Sequence, residues 1–540
     1  MSNAKKLLLL LFTLAGISAT AQRKLPSDKP KLIVQIVVGQ LRNDYLLRFK
    51  NNLNSEGFYT FMYDGMYCNN ARYQYMLTQT APGLATIATG ANPAQHGITS
   101  DSWYDRAGNK IQEACYDYGS TPLESSNDKL RKSPRKLLAS TFSDELKLLN
   151  KKSKVFGVAF NPEEAILLSG HNANAAFWMD DVSGNFTTSD YYISELPSWV
   201  KDFNQKNFAD TYLNRNWDSF YPIEKYITAT EQQKTLTASA NYSFLDLAKK
   251  NATKRREYSL IRETPYGDNL TKDFAISLIV GENLGRDNTT DFLSIYFSAV
   301  RDLGDEFGTL SPELEDAIYR TDENIKHLLA FLNRQVGKEN VLVILTSDHG
   351  CNLSQAELAE AKMPNGIFEN NKAMLLLKSY LNIVYGKGDW VKTFHQKQVY
   401  LNRTLIEDAG QRAVSLPTRA ADFLIQFTGV ANVMTSSTLE SSNFSVGVMR
   451  NIQNGYYPKR SGDIIINLES GWIDNSSVTN SNSPYTYDVH VPLAFYGWKV
   501  KRKTVTRLVD MTSVAPTLSA LSEIPTPNAA VGEPIEELFE

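Results

Sequence analysis

The chain has 540 residues, of which 42% are hydrophobic and 21% are charged, and its formal net charge at pH 7 is −3. This length and composition suit a large globular protein and exclude a disordered or fibrous chain. No basic cluster resembles a nucleic-acid footprint, so no nucleic-acid partner is expected.

The N-terminus has the pattern of a secretory signal peptide. Residues 1–21 combine two early lysines, an apolar run and a small-x-small cleavage site, Ala19-Thr20-Ala21. The alternative is an uncleaved anchor, but the apolar run is shorter than the roughly 20 residues that a membrane span needs. We therefore predict that residues 22–540 form one mature domain, periplasmic or secreted, with no membrane span.

Short β-branched runs alternate with helical stretches along the chain. Near-continuous apolar strands separated by helices are typical of a mainly parallel sheet with helices on both faces. The sequence therefore predicts an α/β fold. The predicted strands are residues 31–38, 154–160, 292–300, 340–347 and 492–497.

One helix is marked clearly by its start signals. Ser311 can cap it, Pro312 suits its first position and Glu313 suits its first turn. An apolar stripe with helical spacing follows. Its members are Leu314, Ile318, Ile325, Leu328 and Leu332.

Two stretches interrupt the alternation, at about residues 171–270 and 352–482. The first is rich in aromatic residues, which favours equally a substrate-facing cap and an insertion with its own small core. Those aromatic residues include Phe177, Trp178, Tyr191, Tyr192, Trp199, Trp217 and Tyr221.

The three cysteines, Cys68, Cys115 and Cys351, have no CxxC spacing for zinc or redox chemistry. In an exported protein Cys68 and Cys115 are the expected disulfide pair. Cys351 follows "SDHG" and could line a site, but a small buried residue is the favoured interpretation.

Candidate functional residues cluster where predicted strands end, which is where open α/β sheets place their sites. Thr80, in "TQTAPGLATIATG", is predicted at a helix N-terminus, where backbone N–H groups favour an alkoxide or a bound phosphate. Asp348 and His349 in "TSDHG", with His490 in "YDVHVP", are side chains suited to zinc.

With these pieces in this order, the chain resembles the alkaline phosphatase superfamily, and more closely the bacterial phosphate-irrepressible alkaline phosphatases related to type I phosphodiesterases and nucleotide pyrophosphatases. Matching segments include "IVVGQLRNDYLLRF", "TAPGLATIATGANPAQHGI", "LTSDHG", "YDVHVPLAFYG" and "DMTSVAPTLSAL". The resemblance implies two zinc ions that activate a nucleophilic threonine, and a covalent phosphothreonine that water hydrolyses.

Carried over residue by residue, the zinc ligands are depleted. Thr80 falls on the nucleophile, and Asp348 and His349 fall on ligands of the zinc that activates it. The aspartate expected at the end of the first strand is Gly39. In the other zinc site only His490 remains.

That second site should also take an Asp-x-x-x-His pair from "FSAVRDLGDEFG". The aspartate is Arg301 and the histidine is Asp305. Shifting the alignment with the family pattern by one residue places Asp302 and Glu306 at the same spacing, but the flanking phenylalanine and glycine residues then no longer match.

The phosphate contacts that the resemblance implies are changed as well. An asparagine becomes Asp101, and the Lys-x-Arg pair of the monoesterases becomes Asn161 and Glu163. The histidine expected after Gly83 is Leu84. The acids Asp101, Glu163 and Asp305 would repel a phosphate dianion at short range, at about 4 kcal/mol for each contact near 4 Å with an effective dielectric near 20.

The sequence therefore predicts an inactive pseudophosphatase with no zinc or substoichiometric zinc, which binds an unknown ligand or protein partner. The alternative is an active phosphomonoesterase or phosphodiesterase with an altered site, in which the new carboxylates would hold a hard cation such as Ca²⁺ or Mg²⁺. Arg301 in the middle of such a site opposes a cation, which favours the first hypothesis.

Two further expectations concern the lost metals. Arg301 is expected to fill part of the second metal's space and to pair with Asp305 or Asp348, the alternative being a solvent-exposed side chain. Replacing Gly39 with aspartate is expected to raise zinc affinity at Asp348 and His349.

Overall fold

The computed structural model describes residues 28–236, 242–254, 257–410, 415–474 and 481–540. The predicted signal peptide lies outside the described residues. Within the described part of the chain, no helix is long and apolar enough to cross a membrane.

A ten-stranded mixed sheet forms the centre of the protein. Its strands, in chain order, are β1 (Leu32–Val38), β2 (Met66–Arg72), β3 (Val155–Val158), β4 (Ala175–Met179), β5 (Phe186–Thr187), β6 (Asp291–Phe297), β7 (Val341–Thr346), β8 (His490–Gly497), β9 (Lys503–Val505) and β10 (Val509–Asp510).

The spatial order is β9-β2-β8-β7-β1-β6-β3-β4-β5, and β10 pairs with β2. The five strands from β7 to β4 run parallel to one another. β8 joins β7 in the antiparallel direction, as β5 joins β4. The predicted, mainly parallel sheet is confirmed, and all five predicted strands occur within three residues of their expected ends.

Alternate residues of β1 enter two separate cores. Leu32, Val34 and Ile36 belong to one buried cluster, while Ile33 and Val37 belong to the other. Because successive side chains of a strand point to opposite faces, both faces of the sheet are covered. This explains why the strands are apolar without alternation.

Four helices matter for the site: α1 (Thr80–Thr89), α2 (Pro162–Ser169), α3 (Ala299–Phe307) and α4 (Pro312–Gln335). The other α-helices span Asn43–Arg48, Pro93–His96, Phe142–Leu149, Ser198–Gln205, Phe208–Leu213, Glu231–Leu236, Leu247–Lys254, Tyr266–Gly281, Gln355–Glu360, Asn370–Tyr385, Arg403–Asp408, Ser415–Leu424, Ser436–Ser441, Gly447–Asn454, Thr486–Val489 and Val514–Ser522.

The start signals of α4 act as the sequence predicts. The Ser311 hydroxyl accepts a hydrogen bond from Leu314 N, and Pro312 is the first helical residue. All five residues of the predicted apolar stripe are buried. These five side chains pack in the same core as Leu32 and Ile36, so α4 covers one face of the sheet.

The aromatic insertion begins later than predicted. Phe177 and Trp178 are fully buried on β4 and so belong to the central sheet. Beyond β5, Trp217 is buried within the main core, and the Trp199 ring packs on Phe177. This insertion therefore packs on the central core.

The insertion at about 352–482 has a core of its own around a small antiparallel sheet. The strands of that sheet are Val391–His395, Gln398–Leu401, Val430–Thr435 and Ile464–Leu468. Three two-stranded sheets complete the described strands: Ser102–Asp105 with Lys110–Glu113, Trp217–Asp218 with Ser243–Leu245, and Gly366–Ile367 with Trp472–Ile473.

The expected Cys68–Cys115 disulfide is wrong. Cys68, Cys115 and Cys351 are all free, buried thiols. Cys68 lies on β2, within the sheet, whereas Cys115 follows the Lys110–Glu113 strand. Burial raises the pKa of the Cys351 thiol to about 12, so it stays protonated as a small buried group.

Candidate functional site

The candidate site lies at the carboxyl ends of the central parallel strands. Gly39 directly follows β1, Asp348 follows β7, and Tyr296 is the penultimate residue of β6. Thr80 is the first residue of α1. The sheet and one helix N-terminus therefore bring these residues together, as the strand-end argument predicts.

The Asp348 carboxylate is fully buried and engaged on both oxygens. Oδ1 accepts hydrogen bonds from Gln40 N at 3.0 Å and His349 N at 2.9 Å. Oδ2 accepts one from the Tyr296 hydroxyl at 2.8 Å. Burial alone would raise the pKa of Asp348, but His349, Arg301 and these donors hold it below its ordinary value.

Arg301, on α3, occupies the centre of the site with its side chain only 14% exposed. One terminal nitrogen donates to Glu164 Oε1 at 2.7 Å, the Tyr296 hydroxyl at 3.0 Å and Thr80 Oγ1 at 3.3 Å. Nε and the other terminal nitrogen donate to Asp302 Oδ1. Burial opposes the charge, but the surrounding acids raise the pKa of Arg301 well above its ordinary value.

The expected partners of Arg301, Asp305 and Asp348, are therefore wrong, and so is the solvent-exposed alternative. Side chains on a helix lean towards its N-terminus. This brings the guanidinium to Tyr296 and away from Asp305, four residues later. Asp305 is exposed and accepts from Gln40 Nε2 at 3.0 Å, while Arg301 reaches Asp348 only through the Tyr296 hydroxyl.

Gly39 has no room for a side chain. A Cβ added there would lie 2.2 Å from the Tyr296 hydroxyl oxygen and 3.1 Å from Arg301 Cβ. Real Cβ atoms do not approach other atoms as closely as the first of these distances. The space of the missing aspartate is therefore taken by Tyr296, and an aspartate at residue 39 would have to displace that side chain before it could join Asp348 and His349.

The residues present do not fit the two zinc ions that the resemblance implies. His349 Nδ1 lies 2.7 Å from Gly350 O, and its Nε2 lies 3.5 Å from Thr80 Oγ1. His490 Nε2 is bonded to Asn69 O at 2.9 Å. In the described residues no group of three or more His, Cys, Asp or Glu side chains could hold a metal ion, whereas a zinc site usually has at least three protein ligands.

The clash at residue 39 gives a testable prediction. Gly39→Ala should destabilise the protein by about 1 to 3 kcal/mol, the usual cost of overpacking a core. In a Tyr296→Phe background the nearest clashing atom is gone, so the same change should cost less. Equal costs in both backgrounds, measured by urea unfolding of all four proteins, would contradict the steric explanation.

The site opens into a cleft of about 390 Å³ whose lining includes Thr80, Asp101, Asn161, Glu163 and Asp305. The lining acids are partly neutralised. Glu163 forms an ion pair with Lys132, a buried lysine that also pairs with Glu113. Asp101 accepts from Ala81 N at 2.7 Å and so caps α1. Asn161 caps α2 together with Glu164.

These contacts modify the charge argument made from the sequence. Glu163 faces an incoming phosphate as part of an ion pair, so its repulsion is reduced, while Asp101 remains an exposed acid at the cleft. Leu84, which stands where a histidine was expected, is fully buried in the core.

A hairpin of the second insertion reaches the site. The Gln79 side-chain amide donates to Gln396 Oε1 at 2.6 Å, and the Ser102 hydroxyl lies 2.9 Å from His395 Nε2. Gln396 and Lys397 form the turn of this hairpin with positive φ angles of 51° and 56°. Nothing in the sequence signals these two contacts, because 317 and 293 residues separate their partners.

Comparisons with known proteins agree with this architecture. The chain is 34% identical to alkaline phosphatase PafA of Elizabethkingia meningoseptica over the full length of both, and 35% identical to a protein named calcium-transporting ATPase from Myroides odoratus over 95% of each. A crystal structure of wild-type alkaline phosphatase PafA superposes with a TM-score of 0.89 at 33% identity, covering 95% of this chain and 99% of that one.

The fold is thus the hydrolase fold of the alkaline phosphatase superfamily, as the resemblance implies. Within it, the chain belongs to the type I phosphodiesterase/nucleotide pyrophosphatase family, whose model matches residues 33–490.

Proposed function

We propose that this protein does not hydrolyse phosphate esters and instead binds a ligand in the cleft beside Thr80. One observation carries the proposal: the Arg301 guanidinium lies against Thr80 Oγ1, at the centre of the site that the family would use for metal-assisted catalysis. The proposal includes no zinc or substoichiometric zinc, and export to the periplasm or beyond.

Electrostatics supports the loss of hydrolysis. Two Zn²⁺ ions would bring four positive charges to stabilise the transferring phosphoryl group. Arg301 brings one, and Glu164 and Asp302 already neutralise it. With Asp101 and Asp305 at the cleft, a phosphate dianion meets little net positive charge.

The relatives named alkaline phosphatase make activity the natural alternative, so the proposal needs a direct test. We expect purified protein to retain well under one zinc per chain after dialysis, because neither remnant site has three ligands. Hydrolysis of p-nitrophenyl phosphate and bis-p-nitrophenyl phosphate should be at background, and Thr80→Ala should change neither rate.

The alternative predicts different results. Two zinc ions per chain, measured by mass spectrometry, would overturn the proposal. So would turnover that Thr80→Ala abolishes, since the threonine would then be a working nucleophile. Turnover that appears only with added Ca²⁺ or Mg²⁺ would identify a hydrolase with an altered metal site.

A further inference from the structure

The cleft beside Thr80 continues into a second chamber. The inner chamber has a volume of about 390 Å³, and the outer one, of about 340 Å³, is lined by residues that include Asp181, Ser259 and Glu306. Arg262 and Asp305 line both chambers, so the two meet at these side chains. A ligand in the cleft would therefore contact Arg262.

Arg262 forms no ion pair with a described residue, although acids such as Asp181 and Glu306 line the same chamber. Its guanidinium lies 5.2 Å from the centre of the Phe160 ring, but no described side chain pairs with it, and its Nε is buried without a hydrogen-bond partner. A guanidinium has five N–H donors and binds carboxylate or phosphate with two of them at once. Arg262 therefore calls for an anionic group from outside the chain.

The other described cation that lines the inner chamber, Arg301, is already paired, and so is Lys132, which lies behind two of the lining acids. Arg301 is bound by Glu164 and Asp302, and Lys132 by Glu113 and Glu163. The carboxylate of Asp101, in contrast, has no cationic partner among the described residues. Asp101 uses Oδ1 to cap Ala81 N and is otherwise exposed beside Thr80, so its carboxylate can accept from a ligand.

We propose that the ligand is a small zwitterion, with its carboxylate or phosphate on Arg262 and its ammonium group on Asp101. An anion without an ammonium group would be repelled by Asp101, and a cation without an anionic group would be repelled by Arg262. This inference rests on the proposed function, since it requires that the cleft bind its ligand without consuming it.

Calorimetric titration of the full-length protein with matched probes tests the idea. Alanylalanine carries both charges, N-acetyl-alanylalanine keeps only the carboxylate, and alanylalanine amide keeps only the ammonium. 2-Aminoethyl phosphate and inorganic phosphate form the corresponding phosphate arm. At least one zwitterion should bind about tenfold or more tightly than its singly charged counterparts, since each charged hydrogen-bonded contact contributes about 1.5 kcal/mol or more.

Variants locate the two contacts. Arg262→Gln should weaken the zwitterion about tenfold and leave the ammonium-only probe no weaker than before, while Arg262→Lys should restore part of the loss. Asp101→Asn should also weaken the zwitterion, although its amide oxygen can still cap Ala81 N. Arg419→Gln, a change at an exposed arginine of the second insertion, is the matched control and should have no effect.

Equal binding of zwitterionic and singly charged probes would overturn the inference, as would an unchanged affinity in Arg262→Gln or no binding of either zwitterion. Preference for alanylalanine or for 2-aminoethyl phosphate would assign the anionic group. Failure of this inference can be distinguished from failure of the proposed function, because zinc content and ester turnover test the proposed function without any of these probes.

Discussion

Replacing Arg301 with alanine is expected to lower the free energy of unfolding by roughly 3 to 5 kcal/mol, the usual cost of leaving buried charge without its partner. Glu164 is 2% exposed and Asp302 is 14% exposed, so solvent cannot replace the guanidinium. The Tyr296 hydroxyl would also lose a donor. Urea unfolding of wild type and variant measures the difference.

The ionisation of Glu164 should make the cost of Arg301→Ala depend on pH. Burial already raises the pKa of Glu164, with Arg301 as the main opposing influence. In Arg301→Ala the folded-state pKa should rise further. The penalty should therefore be largest above the raised folded-state pKa of Glu164 in the variant and should shrink as the pH falls through that value, because the protonated acid needs no partner.

A double variant separates stranded charge from lost packing. Arg301→Met with Glu164→Gln removes the guanidinium and the more buried of its two partner charges and keeps similar volumes, so it should be more stable than Arg301→Ala. A chelator should leave the melting temperature of the wild type unchanged, since we expect no metal binding linked to folding. A large chelator-induced drop would show that a metal stabilises the fold, and an Arg301→Ala variant as stable as wild type would show that Glu164 and Asp302 do not need the guanidinium.

Local signals were enough to predict most of the fold. The β-branched runs indicated strands because they are buried on both faces, and Ser311-Pro312 indicated the start of α4 because a cap acts within three residues. The sequence was less informative where an outcome depended on distant packing. Phe177 and Trp178 read as part of an aromatic insertion, yet their place on β4 is set by pairing with β3.

In the candidate site too, the sequence predicts which residues lie near one another but not which of them make contact. Thr80, Asp348 and Arg301 could be placed near one another from strand-end topology and the resemblance. Their contacts could not, because Tyr296 and Glu164 carry no signal of a role. Tyr296 looks like one more strand residue, and Glu164 looks like the last residue of an Asn161 capping box. Only the folded chain shows that both bind Arg301, 5 and 137 residues away.

Tyr296 takes the space beside Gly39, and Arg301 stands where the resemblance implies an aspartate ligand, so restoring ligands should require replacing both. We expect a variant that combines Gly39→Asp, Tyr296→Ala, Arg301→Asp and Asp305→His to bind zinc, whereas Gly39→Asp alone should not. The combined changes offer the first site a third protein ligand beside Asp348 and His349, and the second site two ligands beside His490.

The expected gain in zinc affinity is large, because a site with three protein ligands and correct geometry binds zinc far more tightly than a site with two. The free energy of zinc binding then adds to the stability of the folded state. Zinc should therefore raise the melting temperature of the combined variant and leave wild type unchanged. The same variant without Tyr296→Ala is the matched control: the hydroxyl would still lie 2.2 Å from the Cβ at residue 39, so zinc binding at the first site should fail. Equal zinc affinity with and without Tyr296→Ala would show that the tyrosine does not block the metal. Zinc binding by Gly39→Asp alone would show that the missing aspartate prevents zinc binding, and that Tyr296 and Arg301 do not.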